Sequence, residues 1–277
     1  MNTNTNITQN NLSIEDTGTY TVAGSNDTIT AASAVSDITI LAAASPRDDV
    51  FFLGARNSTV IDNVTTGNDT INGHGSENIT VGAGDVVHLF GNETETVVGA
   101  GNDSIFLGAS GSDTVTVTGS DNNIRLGAGN SSVTITSGGG DIIQTFSNAN
   151  YNVTDNGTGS IIHADFGTFS LSGSAADTIY EQVLGNHTLT LGSGADTVIV
   201  RDGTILAHLN HITINGFADG LDTIELSGGL NKLASVTGIL SHITDVGGNA
   251  TLSLNGQTIT LVGVAVAALH VSDFTIG

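Results

Sequence analysis

The chain has no cysteine, no tryptophan, one proline, one methionine and only five basic residues among 277. Each scarcity excludes something. Without cysteine there are no disulfides and no thiolate metal ligands, which fits an extracellular protein that sulfur does not staple. The bases are Arg47, Arg56, Arg125, Arg201 and Lys232, set against 27 acids for a net charge of −22. Phosphate recognition needs clustered Lys and Arg, so nucleic acid is excluded as a partner. An anionic membrane surface or a polyanionic substrate is disfavoured on the same ground. The opening MNTNTNITQNNLSIED has neither a basic start nor an apolar run, which argues against a Sec-type signal peptide. No run of apolar residues approaches the ~18 of a spanning helix, so no membrane insertion is expected.

What is abundant is glycine, 37 of 277 residues against an ordinary ~7%, together with Asn, Thr, Ser and Asp. Aliphatic residues are plentiful too, so the chain reads as many short strands joined by many turns. The stretch VVGAGNDSIFLGASGSDTVTVTGSDNNIRLGAGNSSVTIT (97–136) shows the rhythm: small residues, an acid, then an alternating apolar triplet. The first aliphatic residues after each polar beat are Ile71, Ile79, Val87, Val97, Ile105, Val115, Ile124, Val133 and Ile142, separated by 8, 8, 10, 8, 10, 9, 9 and 9 positions. Most beats carry a second apolar residue two places on (Val81, Leu89, Leu107, Val117, Leu126, Ile135), which places both on one face of a strand. Phe106, Thr116, Arg125 and Thr134 then point the other way.

Strand and tight turn at about nine residues per half-turn describe an all-β fold, a right-handed parallel β-solenoid or β-roll, its coils stacked ~4.8 Å apart. A residue type recurring every second beat becomes a column of like side chains. For Asp, each contact between neighbours costs on the order of 1 kcal/mol even in water. Such a column is expected to hold cations between its rungs, and a hard cation such as Ca²⁺ is the natural partner for carboxylates and carbonyls.

Three segments carry a resemblance. VGAGNDSIF (98–106) has Gly99, Gly101, Asp103 and Ile105, GASGSDTVT (108–116) has Gly108, Gly111, Asp113 and Val115, and LGSGADTVI (191–199) has Gly192, Gly194, Asp196 and Val198. Each resembles the GGxGxDxUx nonapeptide of RTX proteins, the type I-secreted calcium-binding repeat proteins of bacteria. Looser copies place Asp69, Glu77, Asp85 (one place early) and Asp177 at the motif acid, and Asp222 ends a final copy in HITINGFADGLDTIELSG (211–228). The resemblance implies Ca²⁺ enclosed by these acids and by the carbonyls of the glycine corners. Departures are Ser131, where the acid is expected, Asn122 or Asn123 near that place, and Asp141, shifted by one. Fewer ions than repeats are therefore expected, with affinities of roughly 10⁻⁴ to 10⁻³ M.

After the repeats, Leu230, Leu233, Val236, Ile239, Leu240 and Ile243 fall at helical spacing. Asn255-Gly256 between alternating runs signals a hairpin. The ending HVSDFTIG is similar to uncleaved type I secretion signals. The expected organisation is an N-terminal arm over 1–20, repeats over 21–205, and a helix-plus-hairpin cap with the secretion-signal region over 206–277. The first 12 residues are polar and read as disordered unless they dock on a neighbouring subunit.

Other readings are weaker. His208 and His211 stand three apart, but no HExxH accompanies them and no GxSxG elbow occurs, so no enzyme is expected. TVTVT (114–118) and SVTIT (132–136) resemble the Thr ranks of ice-binding solenoids, but an outward column of Phe106, Thr116, Arg125 and Thr134 is not a regular array. The expectation is a secreted, calcium-dependent structural protein of a Gram-negative bacterium. It would leave through a type I secretion channel and assemble with copies of itself as a filament, biofilm fibre or surface layer. The alternative is a calcium-binding adhesin that holds cell-surface glycan without polymerising.

Overall fold

The computed structural model describes residues 5–7, 11–23, 25–32, 37–42, 48–54, 57–62, 67–90, 96–108, 111–147, 149–164, 167–182, 186–201, 211–227, 236–254 and 257–277. The chain forms two compact units, Met1–Asp141 and Ile142–Gly277. Both are all-β and built on parallel coils, with one short α-helix, Val236–Leu240, among the described residues.

In the first unit successive strands alternate between two parallel sheets. One holds Thr5–Ile7, Gly18–Val22, Ile38–Ala42, Thr59–Asp62, Asn78–Thr80, Thr96–Gly99, Thr114–Val117 and Ser131–Ile135, here called the first sheet. The second holds Asn11–Ile14, Thr28–Ala31, Val50–Leu53, Thr70–Gly73, Val86–Leu89, Ser104–Phe106 and Asn123–Leu126. Coil length varies. Val86 lies beside Ser104, 18 residues on, and Ser104 beside Asn123, 19 on. Thr70 meets Val86 after only 16 residues and Thr28 meets Val50 after 22. Thr5–Ile7 and Asn11–Ile14, from the stretch expected to be an arm, pair in parallel with Tyr20–Val22 and Thr28–Ala31.

The alternating triplets fill the interior between the sheets. Ile29, Phe51, Ile71, Val87, Ile105 and Ile124 stack in register inside the second sheet, all fully buried. Ile40, Val60, Ile79, Val97, Val115 and Val133 do the same inside the first. Each such side chain contributes about 1.5–3 kcal/mol by leaving water. Ile142 is a partial exception to the sequence reading, because Ile143 is the fully buried residue of that strand and Ile142 faces outward.

Successive beats belong to different sheets, so the outward column Phe106, Thr116, Arg125, Thr134 is corrected here: it is two columns. Phe106 and Arg125 are register partners in the second sheet, Thr116 and Thr134 in the first. On the second sheet His88 stacks on Phe106 (ring centroids 4.5 Å apart), and the Arg125 guanidinium sits over the other side of Phe106. Phe51 is buried and Phe52 points out.

In the second unit Ile142–Thr145, Ile161–His163, Thr178–Gln182, Thr197–Arg201, Thr223–Ser227 and Phe274–Ile276 form one sheet. Asn150–Asp155, Thr168–Gly173, Asn186–Thr190, His211–Asn215 and Gln257–Leu261 form the other, and Gln257–Leu261 continues antiparallel into Asn249–Leu254 and Ile243–Val246. The helix keeps Ile239 buried. Leu230, Leu233, His208 and the Asn255-Gly256 turn lie outside the described residues, but Leu254 and Gln257 pair as a hairpin requires.

Candidate metal centre

The strands of the second sheet in the first unit set up a column at one corner of the coil. Asp27, Asp49, Asp69, Asp85, Asp103 and Asn122 each immediately precede a strand of that sheet, and all are buried. Each rung's main-chain N–H donates to the side-chain oxygen of the next. Asp27 donates to Asp49 Oδ1 (2.8 Å), Asp49 to Asp69 (2.7 Å), Asp69 to Asp85 (2.9 Å) and Asp85 to Asp103 (3.0 Å). Asp103 donates to Asn122 Oδ1 (3.1 Å) and Asn122 to Asp141 Oδ1 (2.9 Å). The carboxylate thus supplies the acceptor that the turning backbone cannot, and the sheet's hydrogen bonding continues around the corner.

The displaced acids keep their place. Asp85 follows its predecessor by 16 residues because the turn is shortened, yet Val87 still lies inward two residues on. Asp141 stands in the same relation to Ile143. Asp69, Asp85 and Asp103, foreseen as ligands, are therefore rungs of one column. Glu77 and Asp113 stand apart at the opposite corner, ahead of Asn78–Thr80 and Thr114–Val117, and Ser131 is buried there too. In the second unit Ser160, Asp177, Asp196 and Asp222 repeat the pattern. Ser160 donates to Asp177 Oδ1 (2.8 Å), Asp177 to Asp196 Oδ1 (3.0 Å) and Asp196 to Asp222 Oδ1 (2.9 Å).

The glycines sit where the corners of adjacent coils touch. A Cβ added at Gly127 would lie 1.5 Å from Gly108 O, and one at Gly129 would lie 1.3 Å from Gly111 O. Only a residue without a side chain allows that approach. Gly101 N donates to Asp103 Oδ2 (3.2 Å). Gly99 and Gly192 also flank motif acids: a Cβ at Gly99 would meet Asp103 Oδ2, and the Gly192 amide favours the charged form of Asp196. A Cβ at Gly194 would collide with Ala175 O.

Burial pushes several of these carboxyl groups toward the protonated form. Asp103 is raised by burial against the opposing pull of amides from Asp85, Gly101, Gly84 and Ala100. Asp177 is pushed up to about 8, first by burial and then by Asp155 and Asp196. Asp196 is raised by burial and by Asp222 and Asp155, and Asp222 by burial. A buried anionic column relieves that penalty with protons or with bound cations.

The donors fit a hard cation unevenly. Asp103 accepts from Gly84 and Asp85 on one oxygen and from Ala100 and Gly101 on the other, so its lone pairs are already engaged. At Asp113 neither buried oxygen has a hydrogen-bond partner among the described residues, and Asp196 Oδ2 likewise makes no hydrogen bond of proper geometry. Each is a buried carboxylate oxygen, the donor type that a hard cation such as calcium prefers.

The sequence reading missed Asp27, Asp49, Asn122 and Asp141 as rungs, although NDTIT and DDVFFLG carry the same acid-then-alternation signal. It also missed Asp155, which lies at no repeat position. A group formed by Asp219, His270 and Asp273 brings ligand atoms within 4.8 Å of one another. The buried member, Asp273, is committed to the amides of Gly220 and His270. His211 bonds Thr258.

Compared with known proteins, the chain matches no family model and no curated protein.

Proposed function

We propose that this chain is a calcium-binding, RTX-type structural protein that folds outside the cell when it meets calcium and then joins copies of itself. The observation that carries the reading is the buried carboxylate column, with oxygens left over at Asp113 and Asp196. Calcium binds first at Asp113 and along Asp177, Asp196 and Asp222, and last at Asp103, where it competes with four amides. When bound, the ion supplies positive charge to these buried carboxylates. The coils are right-handed, with nine-residue half-turns in the regular stretch, and the C-terminal helix and hairpin cap the second unit.

Assembly follows from strands paired on one side only. Among the described residues Thr5–Ile7 pairs with Tyr20–Val22 alone, and Asn11–Ile14 with Thr28–Ala31 alone. Open edges of this kind recruit further strands, and contacts that do not close yield filaments or layers. Export through a type I secretion channel of a Gram-negative cell suits a chain that stays loose where calcium is scarce. No catalytic role is assigned.

The test is a titration of chelator-stripped protein with CaCl₂ from zero to about 10 mM, read by far-UV circular dichroism and light scattering together. Both signals rising together supports calcium-triggered folding coupled to assembly. A β-signal without scattering moves the reading to a monomeric calcium-binding adhesin, and no change in either removes calcium from the argument.

One observation favours a second reading as a surface binder. The first unit's first sheet carries two outward ranks. One runs Thr19, Thr39, Thr59, Asn78, Thr96, Thr114 and Ser132, and the other Thr21, Leu41, Ile61, Thr80, Val98, Thr116 and Thr134. Neither holds a charge, in a chain of net charge −22. The ranks are spaced ~4.8 Å between coils and ~6.7 Å along each strand, and β-branching holds most of these side chains in few rotamers. Such a face suits an ordered, uncharged surface, whether ice or crystalline glycan. Thr80→Lys with Thr116→Lys should abolish pull-down on that surface, and Asn72→Lys on the other sheet should not.

A further inference from the structure

In the second unit the C-terminal segment comes back against the turn of the last repeat. That turn, Ala218–Asp222, is tight: the N–H groups of Leu221 and Asp222 both donate to Ala218 O (3.0 and 2.9 Å), and Ala218 N donates to Asp222 Oδ2 (2.8 Å). Asp219 stands exposed at its tip. Gly220 follows with a φ of +73°, which glycine adopts without a Cβ clash. Its N–H turns toward the C-terminal segment, where Asp273 Oδ1 accepts it at 3.1 Å.

On the other side, His270 directly precedes the 3₁₀ turn Val271–Asp273, and its N–H donates to Asp273 Oδ2 at 2.6 Å. The imidazole Nδ1 of His270 comes to 3.0 Å from Asp219 Oδ1. One ligand atom each from Asp219, His270 and Asp273 then lies within 4.8 Å of the other two. Asp273 is buried and held by one amide on each oxygen. An ionised carboxylate offers about four acceptor sites, so these two amides leave capacity that the four amides at Asp103 do not. Ligating carboxylates are commonly held by hydrogen bonds of this kind. Asp219 and His270 face solvent, which gives an ion its way in.

We propose that Asp219, His270 and Asp273 form a site for a zinc-class divalent ion, separate from the carboxylate column. One imidazole nitrogen with two carboxylates suits a borderline ion such as zinc, whereas calcium takes oxygen ligands. Three protein ligands with a fourth position left to water is an established zinc arrangement. Bonds of ~2.0–2.1 Å put tetrahedral ligand atoms about 3.3 Å apart, so the 3.0 Å between His270 and Asp219 needs only a small outward shift of two exposed side chains. Asp219 and His270 are 51 residues apart in the chain, and the bound ion therefore ties the C-terminal segment to the last repeat turn. The proposal does not rest on the calcium reading, because none of its three ligands is a rung of the column.

The test is calorimetric titration of the full chain with Zn²⁺ in saturating calcium, with circular dichroism as a check on folding. Wild type should bind one zinc tightly. His270→Ala and Asp219→Asn each remove a ligand, and each should weaken that zinc by at least the ~10- to 100-fold that loss of a supporting partner costs. His242→Ala, which removes an exposed imidazole outside the group, should leave the affinity unchanged. Folded wild type that binds no zinc overturns the assignment, as does unchanged affinity in either His270→Ala or Asp219→Asn. An equal loss in His242→Ala overturns it too, since zinc is then held by surface imidazoles at large. If one of the two ligand variants does not fold, the other decides. Protein that binds zinc in this pattern but no calcium supports the site and overturns the calcium reading alone.

Discussion

In calcium-free buffer the protein should lose stability as the pH rises from about 4 toward 8, because the folded state holds a proton that the unfolded chain releases. Asp177 is the main contributor, raised from its ordinary 3.8 to about 8 by burial and by its acidic neighbours Asp155 and Asp196. A group raised on folding gives its full stabilisation below the unfolded value and loses it as the pH climbs through the folded one. At about 1.4 kcal/mol per unit, the window is worth on the order of 5 kcal/mol, a large share of the 5–15 kcal/mol that holds an ordinary domain together. Asp103, Asp196 and Asp222 are raised too and act in the same direction. With a urea slope of about 2 kcal/mol/M, the midpoint should fall by about 2 M across that range, read by far-UV circular dichroism in chelator-stripped protein. Asp177→Asn should flatten the dependence and, without calcium, make the protein more stable than wild type at alkaline pH. Saturating calcium should remove the slope by taking the proton's place. A wild-type midpoint that is flat or rises with pH would refute the reasoning, as would an Asp177→Asn variant less stable than wild type at alkaline pH without calcium.

Four further outcomes follow from packing. Ile105→Ala, at a fully buried position between Val87 and Ile124, should cost about 2–5 kcal/mol in urea or thermal unfolding. Gly127→Ala would drive a Cβ to 1.5 Å from Gly108 O and should open the corner, lowering the melting temperature and calcium affinity together. Gly220→Ala is the contrast: its φ of +73° strains an alanine, but nothing lies within 4 Å, so a loss of about 1 kcal/mol and no change in calcium affinity are expected. Phe106→Ala removes an exposed stack with His88 and Arg125 and should cost no more than about 1.5 kcal/mol in the same melts.

Much of the fold is legible in local pattern. An acid directly before a strand, followed two places on by a buried aliphatic residue, recurs at Asp27, Asp69, Asp85, Asp103, Asp141, Asp177, Asp196 and Asp222. The alternation carries that information because side chains on a strand change face at each step. What misleads is fixed spacing. Asp85 and Asp141 look displaced when measured from their glycines, yet both are rungs, because the turn absorbs the missing residue and the acid stays tied to the strand it precedes. The second miss concerns faces. Phe106 and Thr116 occupy equivalent beats, but the chain crosses to the opposite sheet between them, so an irregular-looking column resolves into an aromatic stack and an uncharged rank.

The sequence by itself determined that the chain would coil as short strands with acids at the corners, since glycine placement, alternation and the acid beat are all local. Tertiary structure alone decided how those acids are used. Whether a carboxylate is saturated by amides, as at Asp103, or left with bare oxygens, as at Asp113 and Asp196, depends on the backbone of the adjacent coil. The same holds for Asp155, whose carboxylate reaches the corner of Ser160 only because the strand ends and folds back there. The amides of Gly84 and Asp85 reach Asp103 from 19 and 18 residues away. The turns that bring Ala100, Gly101 and Ser160 to their carboxylates depart from the regular spacing, so the acid beat alone does not encode these contacts.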